Sequence, residues 1–72
     1  MPAFTFRTAH GLCSIKQHTD GRWWPWLDDE PLGSYHSPAS ALDDLLNNAA
    51  GAAIDTSAIG LPEELSDWSL HR

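Results

Sequence analysis

The chain has 72 residues, with ten Asp or Glu against four Lys or Arg and a formal net charge of −6. That balance argues against binding nucleic acid by phosphate neutralisation and against docking on an anionic membrane. The single cysteine, Cys13, excludes an internal disulfide, and the lack of cysteine pairs fits a reducing, cytoplasmic setting.

A chain of this length is expected to form one domain over residues 1–72. It buries only about 60–65% of its unfolded surface, so its four Trp, two Phe and one Tyr must supply much of the burial. The N-terminal segment Met-Pro-Ala-Phe-Thr-Phe-Arg has no apolar h-region and predicts no secretory leader. No run reaches the ~18 apolar residues of a membrane span.

Residues 3–9 alternate Phe4 and Phe6 with Thr5 and Arg7, the period of a strand. His10-Gly11 reads as a tight turn. Residues 12–19 alternate again, Cys13 and Ile15 against Ser14 and Lys16. Asp20-Gly21 predicts a two-residue hairpin loop, since a type I′ turn needs positive φ at both positions. Residues 22–27 (RWWPWL) form a third strand. Residues 28–31 turn the chain, and residues 32–35 return as a short fourth strand.

These loops imply registers. A loop at 20–21 places Trp24 opposite Gln17 and Trp26 opposite Ile15. A loop at 10–11 places Phe6 opposite Ile15 and Thr8 opposite Cys13. Cross-strand partners share a face, so one face is expected to collect Phe4, Phe6, Cys13, Ile15, Trp24 and Trp26, with Tyr35 opposite Trp24. The other face is expected to carry Thr5, Arg7, Ser14, Lys16, His18, Trp23, Pro25 and Leu27. Pro25 lacks an N–H and predicts an edge, or loose pairing with the fourth strand.

Ser37-Pro38 opens a helix, with Ser as N-cap and Pro at the first helical position. Over residues 38–50 the stripe Leu42, Leu45, Leu46 and Ala49 is amphipathic and should cover the aromatic face. Asp43, Asp44, Asn47 and Asn48 point outward, and Gly51 is a C′ residue. Residues 51–60 form a loop that pins Ile54 or Ile59. Residues 61–65 form one helical turn, and Asp67-Trp68-Ser69-Leu70 ends as a short strand or an extended tail. The expected fold is α+β: a three- to four-stranded antiparallel sheet, one main helix on its aromatic face and a short C-terminal helical turn.

No chemistry-bearing motif emerges. His10, His18, His36 and His71 lack the close-spaced pairs of a zinc site, and no metal or cofactor is expected. Cys13 falls on the buried face, where a thiol is inert. The carboxylates have no dry cleft to separate their pKa values. The chain is therefore expected not to be an enzyme. Arg7, Lys16, His18 and Trp23 make a faint stacking platform for nucleic acid, and the net charge outweighs it.

The acids are grouped. Asp28, Asp29 and Glu30 share a turn, Asp43 and Asp44 sit on the outer helix face, and Glu63, Glu64 and Asp67 lie around the C-terminal turn. This predicts a negative helix layer that attracts basic grooves, its carboxylates standing in for phosphates. In size, acidity, mixed α/β build and absence of catalytic motifs, the chain resembles the small anti-CRISPR and anti-restriction proteins of phages and mobile elements. The likeness is strongest to inhibitors of type I CRISPR surveillance complexes. It covers the whole chain in style and includes no shared motif, so no residue role carries over. The segments SPASALDDLL and GLPEELSDW are similar to small uncharacterised bacterial proteins and imply no activity.

The resemblance implies an inhibitor that occupies the basic groove of a nucleic-acid-handling complex. It would bind that protein surface with no direct nucleic acid and no membrane, as a monomer or weak homodimer. The alternative is an antitoxin-like or accessory interaction module that uses the exposed Trp23/Pro25 face.

Overall fold

A computed structural model describes residues 2–72. Strands β1 (Ala3–Thr8), β2 (Gly11–Gln17), β3 (Trp23–Leu27) and β4 (Glu30–Pro31) precede one helix, α1 (Pro38–Leu46), and a last strand, β5 (Ser69–His71). Single 3-10 turns occur at Thr56–Ala58 and Leu65–Asp67. The sheet is antiparallel in the order β4-β3-β2-β1-β5. The fold is thus α+β with five strands rather than three or four. The added one is the C-terminal segment, which pairs Phe4 with Leu70 at the β1 edge. The expected helical turn at 61–65 is displaced to Leu65–Asp67.

The β1–β2 turn falls at Ala9-His10, so Phe4 faces Ile15 and Phe6 faces Cys13. That moves the expected register by two residues and leaves every side chain on its expected face. The β2–β3 register moves by one: Lys16 pairs with Trp24, Ile15 with Pro25 and Gln17 with Trp23. The loop explains this. His18 N–H donates to Arg22 O at 2.9 Å and Gly21 N–H donates to His18 O at 2.9 Å. The loop is therefore Thr19-Asp20-Gly21, three residues ending on a left-handed glycine (φ 81), the common alternative to the two-residue hairpin. Asp20 Oδ1 accepts from Arg22 N–H at 2.9 Å and braces the loop.

A one-residue slip exchanges the faces of β3. Trp23, Pro25 and Leu27 turn inward, and Trp24 and Trp26 turn outward, the reverse of the expected arrangement. The helix does not cover Trp24 and Trp26. It packs over β2 and β3 on the side of Ile15, Cys13, Trp23 and Phe4. Trp23 lies 6.0 Å from Phe4, ring to ring, and bridges Tyr35 in place of the expected Trp24–Tyr35 pair. Pro25 is fully buried. Its carbonyl accepts from Leu32 N–H at 2.8 Å, and β4 contributes only two ladder pairs beside it. The missing N–H thus falls on the weakly paired side.

Helix α1 starts as its sequence predicts. Ser37 Oγ accepts from Ser40 N–H at 3.1 Å, and Pro38 opens the first turn. It ends at Leu46, not at 50, because Asn48 takes the left-handed conformation (φ 54). Ala49 N–H then donates to Asp44 O at 2.7 Å and Asn48 N–H to Leu45 O at 3.3 Å, the paired bonds of a Schellman cap. Thr56, buried in the following loop, donates from Oγ1 to Leu45 O at 2.6 Å. Ala41, Leu42 and Leu45 are buried, and Ala50 takes the core place expected of Ala49. Trp68 closes the far side of the core at 5% exposure, its indole N–H donating to Pro62 O at 3.2 Å and its ring 5.9 Å from Phe6. No helix among the described residues is long and apolar enough to cross a membrane.

Candidate functional site

Strand alternation puts Ala3, Thr5 and Arg7 of β1, Leu12, Ser14 and Lys16 of β2, Trp24 and Trp26 of β3, Pro31 of β4, and Ser69 and His71 of β5 on the face opposite the helix. No carboxylate occupies a strand position there. Such a face of an antiparallel sheet is ordinarily polar and wet, and most of this one is. Ala3, Leu12 and Pro31 are apolar, and the largest apolar groups are the pair of indoles at i and i+2 on one strand.

The indoles are half-buried, and their neighbours are ordered around them. The His18 ring is 5.2 Å from Trp24 and 6.0 Å from Trp26, parallel to the latter within 3°. Lys16 Nζ sits 5.0 Å from the centre of the Trp26 ring, within cation–π range. Ser14, the cross-strand partner of Trp26, is 1% exposed, so larger side chains of the same face lie over it. Both indole N–H groups are shielded from water and have no acceptor, which costs on the order of 1–3 kcal/mol each. Beside this ridge the face sinks into an open trough of about 700 Å³ lined by Ala3, Thr5, Arg7, Leu12, Ser69 and His71. Thr5 Oγ1 and His71 Nε2 are hydrogen-bonded across it at 2.9 Å.

The expected partner-binding acids fall into separate groups. Asp43, Glu63 and Glu64 converge on a cleft of about 290 Å³ floored by Leu42, Leu46 and Leu65. Asp28, Asp29 and Glu30 flank a second depression with Ala53 and Ile54. Asp67 is exposed on the last 3-10 turn. Two of the acids have internal tasks. Asp28 Oδ1 accepts from Leu12 N–H at 2.9 Å, and Asp44 Oδ2 accepts from Tyr35 Oη at 2.7 Å. Burial, aided by the hydrogen bond and charge of Asp44, pushes the Tyr35 hydroxyl up to about 12.

Cys13 is fully buried, and desolvation pushes its thiol up to about 11 against a smaller opposing hydrogen bond at Ser14. A thiol so placed is a poor nucleophile. Among the described residues no three His, Cys, Asp or Glu gather as a metal-binding set. Reading the residues alone missed Trp24 and Trp26 as surface groups. The Thr-Asp-Gly triplet was the available sign, since it suits a three-residue loop as well as a two-residue one.

No protein-family model, curated protein or solved structure matches the chain.

Proposed function

We propose that the chain is a small non-enzymatic binding protein whose docking surface is the helix-free face of its sheet. One observation carries this: Trp24 and Trp26 stand side by side where no helix and no strand carboxylate covers them. Tryptophans flanked by cations are the residue types that dominate interface energetics, and contiguous apolar rings on a sheet face that no helix covers mark an interaction site. The surface is the accessory-module alternative moved one residue along β3, from Trp23 and Pro25 to Trp24 and Trp26. It requires no metal or cofactor.

A second reading keeps the acidic layer as the working surface, occupying a basic groove of a nucleic-acid-handling complex. The convergence of Asp43, Glu63 and Glu64 on one apolar-floored cleft favours it. Affinity capture from host lysate with three proteins separates the two: the wild type, Trp24→Thr/Trp26→Thr, and Asp43→Lys/Glu63→Lys/Glu64→Lys. The sheet-face reading expects the first variant to lose the wild-type partner and the second to keep it, with only a shallow fall as salt rises. Loss in the charge-reversed protein alone, with steep salt sensitivity, overturns it in favour of the acidic surface.

A further inference from the structure

We infer that the helix-free face seats a single-stranded nucleic acid, with bases stacked on Trp24 and Trp26 and phosphates held by Lys16 and Arg7. This rests on that face being the docking surface and names its occupant. Two features must be matched at once. The indoles call for flat rings; Lys16 and Arg7, with no carboxylate at a strand position of the face, call for negative charge. A single strand offers both along one chain. An acidic peptide meets the cations and leaves the indoles without stacking partners. A duplex hides its base faces and needs more phosphate contacts than two cations provide.

The shape agrees. Small side chains, Ala3, Thr5 and Ser69, floor the trough along β1 and β5. A second hollow, lined by Ala3, Lys16, Gln17 and His18, joins it at Ala3. The backbone of a strand can follow this path while its bases reach the ridge.

The net charge of −6 does not forbid this. Four of the ten acids, those of α1 and of the Glu63–Glu64 cleft, lie on the helix side of the sheet, and Asp28, which reaches Leu12 N–H at the end of this face, is committed to that bond. The screening length at physiological ionic strength is about 8 Å. Repulsion therefore matters at low salt and fades near 0.1 M. With two cations in contact, log K should then fall against log salt with a slope near −1.4, about −0.7 per neutralised phosphate.

The test uses the full chain and fluorescein-labelled oligothymidylate and oligouridylate of about 12 nucleotides, within known single-strand site sizes, read by anisotropy and by quenching of tryptophan fluorescence. The expected result is saturable, quenching binding near 0.1 M salt to one or both; which one binds separates DNA from RNA. Trp24→Thr and Trp26→Thr should each weaken it about 5- to 150-fold, the range of one lost base stack. Trp24→Phe and Trp26→Phe should keep most of it, which preserves the test if a Thr variant unfolds. Lys16→Gln or Arg7→Gln should bring the slope to about −0.7. Binding of neither oligomer, equal affinity for a duplex of the same length, or indifference to the Trp changes overturns the inference. If neither oligomer binds while Trp24→Thr/Trp26→Thr still removes a captured protein, the nucleic-acid occupant falls and the docking face stands. If the Trp pair affects nothing, both fall.

Discussion

Asp28 is the acid whose removal the fold should feel, although it sits exposed on a turn. Its backbone is left-handed (φ 51), and its carboxylate accepts from Leu12 N–H at 2.9 Å across the sheet. The neighbouring Gly11 is there because a Cβ would collide with that carboxylate. Asp28→Ala loses a charge-assisted bond, worth about 1–1.5 kcal/mol at an exposed site. It also places a Cβ-bearing residue with no local polar compensation in the left-handed region, at about 1 kcal/mol. The sum is about 2–2.5 kcal/mol, a large part of the roughly 4–11 kcal/mol expected of a domain this size. Asp28→Asn keeps an acceptor and tolerates the backbone, so it should cost under about 1 kcal/mol. Asp28→Gly relieves only the backbone and should fall between. With a urea m-value of about 1 kcal/mol/M, the Ala variant should unfold about 2 M earlier, while Asp29→Ala, exposed beside it, should stay within about 0.5 kcal/mol of wild type. Urea titration followed by circular dichroism reads all four. Equal costs for Asn and Ala, or a silent Asp28→Ala, would refute the reasoning. If it holds, charge reversal at Asp28 cannot serve as a clean test of docking, whereas Asp29 and Glu30 can.

Trp68→Ala should cost about 3–5 kcal/mol, a large share of the domain's stability, while Trp68→Phe, which loses the bond to Pro62 O and part of the buried ring, should cost less; thermal melts rank them. Cys13 should resist Ellman's reagent in the native protein at pH 8 and react fully in denaturant. Because its folded pKa is raised to about 11 from 9.0, its share of stability is intact below pH 9 and is lost as pH rises toward 11, and Cys13→Ser should flatten that fall. Tyr35 behaves alike between pH 10 and about 12. Asp44→Asn should lower its titration midpoint, read by absorbance at alkaline pH, and a midpoint that does not move would show that Asp44 contributes little to the shift.

Local signals carried most of the architecture. The alternation around Phe4, Phe6, Cys13 and Ile15 marked two strands and their common face, and it survived a two-residue change of register because the side-chain period is two. Ser37-Pro38 marked the helix start to the residue. The helix end was misplaced because Asn48 takes a left-handed conformation three residues before Gly51, which is left-handed too, and what favours Asn48 is distant: its Oδ1 accepts from Thr56 N–H at 3.2 Å. Pairing of Ser69–His71 with β1 joins the two ends of the chain, and no local pattern specifies it. The acids were legible as surface residues, but Asp28 and Asp44 bond to groups 16 and 9 positions away, a relation that periodicity does not contain.

The facing of the β3 side chains turned on one loop. Asp-Gly fits two- and three-residue hairpins alike, and the choice decides which of Trp23, Trp24 and Trp26 face the core. The three-residue loop gives the core one indole from β3 together with Pro25, and leaves two outside. The core on the helix side is closed by Ile15, Leu42, Leu45 and Trp68, and with a single nine-residue helix the chain can cover only one side of its sheet. Thr and Lys satisfy a wet face at no cost, as they do at Thr5 and Lys16. Two indoles with unpartnered N–H groups do not, and that cost is the ground for proposing this face as a docking surface.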